Sequence, residues 1–383
     1  MKIVLVAGAR PNFMKIAPIL RAIKDYNEKA QNKAGARTLD PILVHTGQHY
    51  DYEMSKVFFE DLEMPDPDVY LGIGSGTHAE QTGKAMIEIE KLLIERKPDL
   101  VVVVGDVNST LAGALAAVKL HIPVAHVEAG LRSFDRNMPE EINRLLTDAI
   151  SDYLFTHSPD ADENLKNEGI AEEKIYFVGN VMVDSLLQSV EKARQRNILS
   201  RMGLKSGGYG VLTLHRPDNV DEKESLSRIT KAVTEVSHKM PIVFPAHPRT
   251  QKNLKEFGLL SNHQSPNTNY QLLITNPLGY LDFLQLIMNS KFVLTDSGGI
   301  QEETTILNVP CLTLRDSTER PITVSVGTNV LVGNDKKKIV AEACKILDGN
   351  GKAGKTPKLW DGKAAERIVD VCVRVKRYTL RYQ

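Results

Sequence analysis

The run Thr295-Asp296-Ser297-Gly298-Gly299-Ile300-Gln301-Glu302-Glu303 follows an apolar strand, Phe292–Leu294, and opens a helix. Two glycines let a backbone approach a ligand closely, and a helix start presents free N–H groups at the positive end of its dipole. With the Ser297 hydroxyl as a further donor, the pattern suits a diphosphate. Glu303, one turn in, is placed to accept hydrogen bonds from vicinal ribose hydroxyls. Ser297 serving only as an N-cap is the plain alternative, but a cap has no need of Gly298-Gly299. Gly8-Ala9-Arg10-Pro11-Asn12-Phe13-Met14-Lys15 follows the first strand and offers two cations, Arg10 and Lys15. It is no dinucleotide fingerprint, because G-x-G-x-x-G is absent, and the glycines of Leu71–Gly76 read as a loop.

Proton-handling groups gather at other strand ends. Gly105-Asp106 closes one apolar run, His126-Val127-Glu128-Ala129-Gly130-Leu131-Arg132 closes the next, and Pro139-Glu140-Glu141-Ile142-Asn143-Arg144 follows shortly after. Asp106, Glu128 and Glu140 can therefore share a site, and crowded carboxylates spread one another's pKa values into a set of acids and bases. The bland reading of Glu140 is a helical ion pair with Arg144, four residues on. His215 in Leu214-His215-Arg216-Pro217-Asp218-Asn219 and His247 in Ala246-His247-Pro248-Arg249 each follow a strand and can donate to phosphate or move a proton. Leu314-Arg315-Asp316-Ser317-Thr318-Glu319-Arg320-Pro321 offers Arg320 in the same way. His45 and His49 straddle a strand end and a glycine, and neither HExxH nor CxxC occurs, so no metal is expected.

The elements that must position these residues are legible as alternation. Ile3–Ala7, Ile42–Thr46, Leu100–Val104, Val124–Val127, Tyr153–Thr156 and Ile175–Val178 are continuous apolar runs, as parallel strands covered on both faces require. Between them lie amphipathic helices, among them Thr77–Arg96, which begins with Thr77 and Glu80 at capping-box spacing. A polar stretch, 195–208, interrupts the pattern. Alternation restarts with Gly210–Leu214, Pro241–Pro245, Leu272–Thr275, Lys291–Thr295 and Pro310–Leu314. Two βαβ series predict two doubly wound Rossmann-like domains, residues 1–180 and 181–361, with parallel sheets facing an interdomain cleft. The last helical segment, 362–383, is expected to pack back on the first domain.

The 383 residues carry 48 Lys+Arg and 48 Asp+Glu, too balanced a charge for a phosphate-backbone binder, so no nucleic-acid partner is expected. Three widely spaced cysteines form no disulfide framework. No run approaches the roughly 20 apolar residues of a membrane span. These features predict a cytoplasmic protein without membrane insertion.

Taken together in order, Gly8–Pro11, Gly105-Asp106, His126–Arg132, Pro139–Glu141, Asp296–Glu303 and Arg315–Pro321 resemble the non-hydrolysing UDP-N-acetylglucosamine 2-epimerases over nearly the whole chain. The resemblance implies a GT-B fold, a homodimer and no redox cofactor. It implies reversible conversion of UDP-N-acetylglucosamine to UDP-N-acetylmannosamine through elimination of UDP to a 2-acetamidoglucal. By matched motif, Ser297, Gly298 and Gly299 would hold the diphosphate and Glu303 the ribose, and Phe283 would pack on uracil. Arg10, His247 and Arg320 would complete nucleotide binding. Asp106, Glu128 and Glu140 match the essential acids, with Lys15, Arg144 and His215 assisting departure of the diphosphate. Arg216-Pro217-Asp218 stands where many bacterial members have Arg-Arg-Glu, and Ser75-Gly76 where they have Arg-Gln. Of the positions in the loop after the second strand, Gln48 and His49 match the bacterial effector site and Tyr50 and Asp51 do not. The allosteric activation of bacterial members is therefore not expected. A hydrolysing 2-epimerase, a 2-epimerase of a modified UDP-sugar, a GT-B glycosyltransferase and a non-catalytic UDP-sugar sensor are the competing readings.

Overall fold

The computed structural model describes residues 1–8, 10–31, 35–47, 59, 61–259 and 272–375. The chain forms two units, Met1–Leu187 with Lys358–Gln383, and Gln188–Pro357. The first unit is built on seven strands: β1 (Lys2–Ala7), β2 (Asp40–His45), β3 (Val69–Tyr70), β4 (Leu100–Val104), β5 (Val124–Ala129), β6 (Tyr153–Thr156) and β7 (Ile175–Phe177). They pair in parallel in the order β3-β2-β1-β4-β5-β6-β7, with Val4 opposite both Ile42 and Val101. All five residues of β4 are buried, which is why its sequence shows no alternation.

The second unit holds β8 (Gly210–Thr213), β9 (Ile242–Pro245), β10 (Leu272–Thr275), β11 (Phe292–Thr295), β12 (Cys311–Thr313) and β13 (Asn329–Leu331). Their order is β10-β9-β8-β11-β12-β13, again all parallel. The expected pair of doubly wound parallel sheets is therefore present. In each sheet the strand order reverses once, between β1 and β4 and between β8 and β11. Open parallel α/β sheets place ligands beyond the carboxyl ends of the strands at such a reversal. Those ends lead into Gly8–Lys15 and Gly105-Asp106 in the first unit, and into His215 and Asp296–Gly299 in the second.

Local chemistry sets the supporting helices. Thr77 and Glu80 form the expected capping box of helix His78–Arg96, a cap contributing about 1 kcal/mol. Pro18 lies inside helix Arg10–Gln31 and has no N–H to give the Met14 carbonyl. The Ser185 hydroxyl donates to that carbonyl instead, which steadies the turn carrying Lys15. Helix Ala364–Cys372 belongs to the first unit, where the Asp184 carboxylate accepts from the N–H groups of Ala364 (3.2 Å) and Ala365 (2.9 Å) at its start. Burial pushes Asp184 up to about 6 against those bonds. In the second unit, residues 195–208 include the helix Ile198–Arg201, whose Ile198 N–H donates to Gln285 at 3.0 Å.

Candidate functional site

In the first unit, the loops after β4 and β5 and the start of helix Pro139–Ile150 converge. Lys15, one turn into helix Arg10–Gln31, forms a buried ion pair with Glu128. Beside it, the Asn12 side chain donates to the Val104 carbonyl at 2.6 Å. Gly105 makes room for this pair. Its φ is +69°, and a Cβ there would lie 2.7 Å from Lys15 Nζ and 3.6 Å from Glu128 Oε2. Glu128 itself has φ +75° at a register shift between β5 and β6, a left-handed conformation costing a non-glycine residue about 1 kcal/mol. Strain of this kind persists where the surroundings over-determine it.

Asp106 Oδ2 accepts from Arg144 Nε (3.0 Å) and Nη2 (2.7 Å). The third guanidinium nitrogen, Nη1, donates to Glu141 Oε2 at 2.6 Å. Burial opposes charge on Glu141, but the N–H groups of Ser133 and Phe134 and the arginine outweigh it and hold the carboxyl below its usual range. Arg144 therefore serves Asp106 and Glu141, and the i,i+4 pair with Glu140 does not form. Glu140 is half-buried, with no side-chain hydrogen bond or ion pair among the described residues. It shares a helix face with Asn143 and Arg144, which bond the Asp106 carbonyl and carboxylate. Lys15, Asp106, Glu128 and Arg144 are thus brought together, and Glu140, without a partner among the described residues, lies on the helix face that carries Asn143 and Arg144. Of Arg10 only the backbone is described; Gln48, His49, Tyr50 and Asp51 lie outside the described residues.

In the second unit, Asp296 at the end of β11 is fully buried and accepts from the N–H groups of His215 and Arg216 and from Asn219. Its Oδ1 lies 2.8 Å from His215 Nδ1. Burial opposes its charge, but the histidine and these N–H groups prevail and keep Asp296 below its usual range. A carboxylate only accepts, so His215 donates through Nδ1, and its exposed ring presents Nε2 outward. Ser297 is the N-cap of helix Gly298–Leu307 but makes no side-chain cap bond, so its hydroxyl is not spent on the helix. A Cβ on Gly298 would strike Arg320 Nη1 and lie 2.6 Å from Glu319 Oε1.

Arg320 pairs with Glu319 at 2.6 Å and Glu302 at 2.8 Å, Arg315 with Glu319 at 2.8 Å, and Arg216 reaches Glu319 at 3.5 Å. Arg216, Arg315 and Arg320 thus cluster with Glu319 and Glu302 beside the glycine-rich helix start. Burial would raise Glu319, yet Arg320, Arg315 and Arg216 drive it far below the usual range. Glu303 is nearly sealed from solvent. Its Oε1 accepts a long 3.4 Å bond from Tyr280, and its Oε2 has no partner. Burial first, and Glu302 with it, push Glu303 up to about 8 despite Tyr280. One oxygen of this carboxyl is without a donor. His247 is exposed and caps helix Pro248–Glu256, its Nδ1 accepting from Arg249 N at 3.3 Å, which leaves Nε2 as the donor. Phe283 is half-buried against the cluster of Tyr209, Val211 and Ile287.

Sequence reasoning missed Asp296 as the group orienting His215, Tyr280 beside Glu303, and Arg216, Arg315 and Glu319 around Arg320. Each stands inside or next to a motif already singled out, and that adjacency was the available signal.

A family model for UDP-N-acetylglucosamine 2-epimerases matches residues 32–373. The UDP-N-acetylglucosamine 2-epimerase of Methanocaldococcus jannaschii is 50% identical over 97% of this chain and 98% of its own length. The UDP-2,3-diacetamido-2,3-dideoxy-D-glucuronate 2-epimerase of Pseudomonas aeruginosa is 45% identical over 98% of this chain and 100% of its own. The crystal structure of the M. jannaschii enzyme in complex with UDP-GlcNAc and UDP superposes with a TM-score of 0.85, covering 97% of this chain and 99% of that one. Among the described residues no helix is long and apolar enough to cross a membrane. The chain belongs to the UDP-N-acetylglucosamine 2-epimerase family.

Proposed function

We propose that this enzyme interconverts UDP-N-acetylglucosamine and UDP-N-acetylmannosamine by eliminating and readding UDP, without net hydrolysis. The observation that carries the reading is the grouping of Asp106 and Glu128, each on a cation, with Glu140, unpaired among the described residues, on the helix face that carries Asn143 and Arg144. Epimerising C2 needs one group to take the proton and another to return it from the opposite face. In the forward sense the C2 proton goes to a carboxylate, the C1–O bond breaks, and its electron pair leaves with UDP as the C1–C2 double bond forms. In return the UDP oxygen adds to C1 and C2 receives a proton on the other face. Atoms and electrons balance, so the reaction needs no oxidant, reductant or cofactor.

Retaining UDP falls mainly to residues of the second unit. Ser297, Gly298 and Gly299 hold the diphosphate, Glu303 the ribose and Phe283 the uracil, Arg10, His247 and Arg320 complete nucleotide binding, and Lys15, Arg144 and His215 assist departure of the diphosphate. Gly298→Ala tests this placement. Displacing Arg320 should remove one charge-assisted contact and weaken UDP binding about 10–100-fold by calorimetry. Affinity within about threefold of wild type would take Arg320 out of the nucleotide site. We read the working form as a cytoplasmic homodimer making a cell-surface polysaccharide precursor, the dimer being checked by light scattering.

The reaction is tested by proton NMR of the enzyme with UDP-N-acetylglucosamine in D2O. Deuterium at C2 together with a UDP-N-acetylmannosamine signal is the expected result. Free UDP with N-acetylmannosamine would instead make the enzyme hydrolysing. Absence of exchange with this sugar, and exchange with the 2,3-diacetamido uronate nucleotide, would move the substrate to that of the P. aeruginosa relative.

A further inference from the structure

His126 and Asp148 are both fully buried, one in β5 and the other near the end of helix Pro139–Ile150. His126 Nδ1 lies 2.6 Å from Asp148 Oδ1, and its Nε2 lies 2.8 Å from the Gly105 carbonyl oxygen. A carbonyl and a carboxylate can only accept, so the ring donates through both nitrogens. Asp148 Oδ2 in turn accepts from Gly130 N at 3.0 Å and pairs with Arg132 Nη1 at 2.8 Å. Arg132 then forks onto Glu168, at 2.7 and 2.6 Å, where the chain of contacts reaches the surface.

The anchored points matter more than the chain itself. Gly105 immediately precedes Asp106, and Gly130 follows Glu128 by two residues. Both glycines have positive φ, +69° and +79°, which glycine adopts freely and can as freely leave, whereas Glu128 at φ +75° holds a conformation that its surroundings must enforce. The ring ties down the first turn and the carboxylate ties down the second. A flip of the Gly105 peptide would re-aim Asp106, and loss of the Gly130 bond would release Glu128 from Lys15.

We propose that the His126–Asp148 pair is a positioning device that sets the relative placement of Asp106 and Glu128 for proton transfer at C2. Neither member touches either acid's carboxylate. The catalytic part of this inference rests on the epimerase reading above; the placement of the two turns does not.

The test is Asp148→Asn, whose amide is isosteric but can accept on one side only and so cannot serve His126, Gly130 and Arg132 together. A misplacement of catalytic groups near 1 Å costs about 100-fold, so kcat for C2 exchange should fall about 10–100-fold. KM and UDP affinity should stay within about threefold, because the groups assigned to the diphosphate, ribose and uracil (Ser297, Gly298, Gly299, Glu303, Phe283 and Arg320) belong to the other unit. Retained UDP affinity also reports a folded protein. Glu168→Gln breaks the outer end of the same chain and should leave kcat within about threefold of wild type. A spectroscopic readout accompanies the kinetics: with 15N-labelled histidine, wild type should show two ring N–H signals for His126 and Asp148→Asn one at most. Should Asp148→Asn not fold, His126→Gln replaces it in the kinetic and UDP-binding assays.

Wild-type kcat in Asp148→Asn overturns the proposal. So does an equal loss in Glu168→Gln, which would make the effect general loosening, and so does a single ring N–H in wild type. If wild type epimerises no UDP-sugar, the functional reading fails by itself. The positioning role is then judged by 13C titration of the Asp106 and Glu128 carboxyls, and identical curves in wild type and Asp148→Asn would end it.

Discussion

Glu140→Gln is expected to lower the rate of C2 exchange by about 10²–10⁴-fold, the range for removing a positioned general acid or base, while UDP affinity stays within about threefold. The three acids differ in their partners. Asp106 gives one oxygen to two Arg144 donors, and Glu128 is paired with Lys15 inside the protein. Glu140 stands in the first turn of its helix with no partner among the described residues, on the face that carries Asn143 and Arg144. Glutamine keeps its shape and can still hydrogen-bond, but it cannot shuttle a proton. Exchange measured separately from each epimer adds a direction. If Glu140 handles one face only, washout from one epimer collapses further than from the other. Turnover within about threefold of wild type would remove Glu140 from the chemistry and leave Asp106 and Glu128 as the two proton carriers.

Much of this arrangement was legible because parallel buried strands are uninterrupted apolar runs, and their carboxyl ends are where ligands go. Gly105-Asp106, His215 and Asp296–Gly299 were found by that rule alone. The two-residue strand Val69–Tyr70 is shorter than any period can reveal, and in Asn329–Leu331 the one buried position is the polar Asn329, so no buried apolar run marks it. The partner of Arg144 was not readable either. Helical spacing pointed to Glu140, whereas Glu141 is turned inward by the Ser133 and Phe134 N–H groups and Asp106 arrives from another strand. In a Glu-Glu pair, sequence does not say which one turns in. Tyr280 meets Glu303 from 23 residues away, and Arg216, Arg315 and Arg320 gather on Glu319 from two separate strand ends. Contacts of that kind depend on how the sheet orders its strands, which no local pattern encodes.

UDP binding at pH 6.5–7 should release close to one proton, and Glu303→Gln should abolish that release while weakening UDP about 10–100-fold, the loss expected for charge-assisted hydrogen bonds. Without nucleotide, burial and neighbouring Glu302 raise Glu303 to about 8, so the group is mainly protonated at neutral pH. Two ribose hydroxyls donating to it favour the carboxylate, and the proton must leave as they arrive. Affinity should therefore rise up to about tenfold per pH unit as pH approaches 8, then level off. Calorimetry in buffers of different ionisation enthalpy counts the proton directly. The same shift has the opposite sign for stability of the free enzyme. A folded-state value raised from 4.5 to about 8 gives a contribution fully present below 4.5 and lost as pH rises through 8. The melting temperature of Glu303→Gln should then gain on wild type from pH 5 to 8, by several degrees for a difference on the order of a few kcal/mol, and stay level above that. A variant that binds UDP like wild type, with unchanged proton release, would show that the ribose is held elsewhere and that the unpartnered Glu303 oxygen has another use.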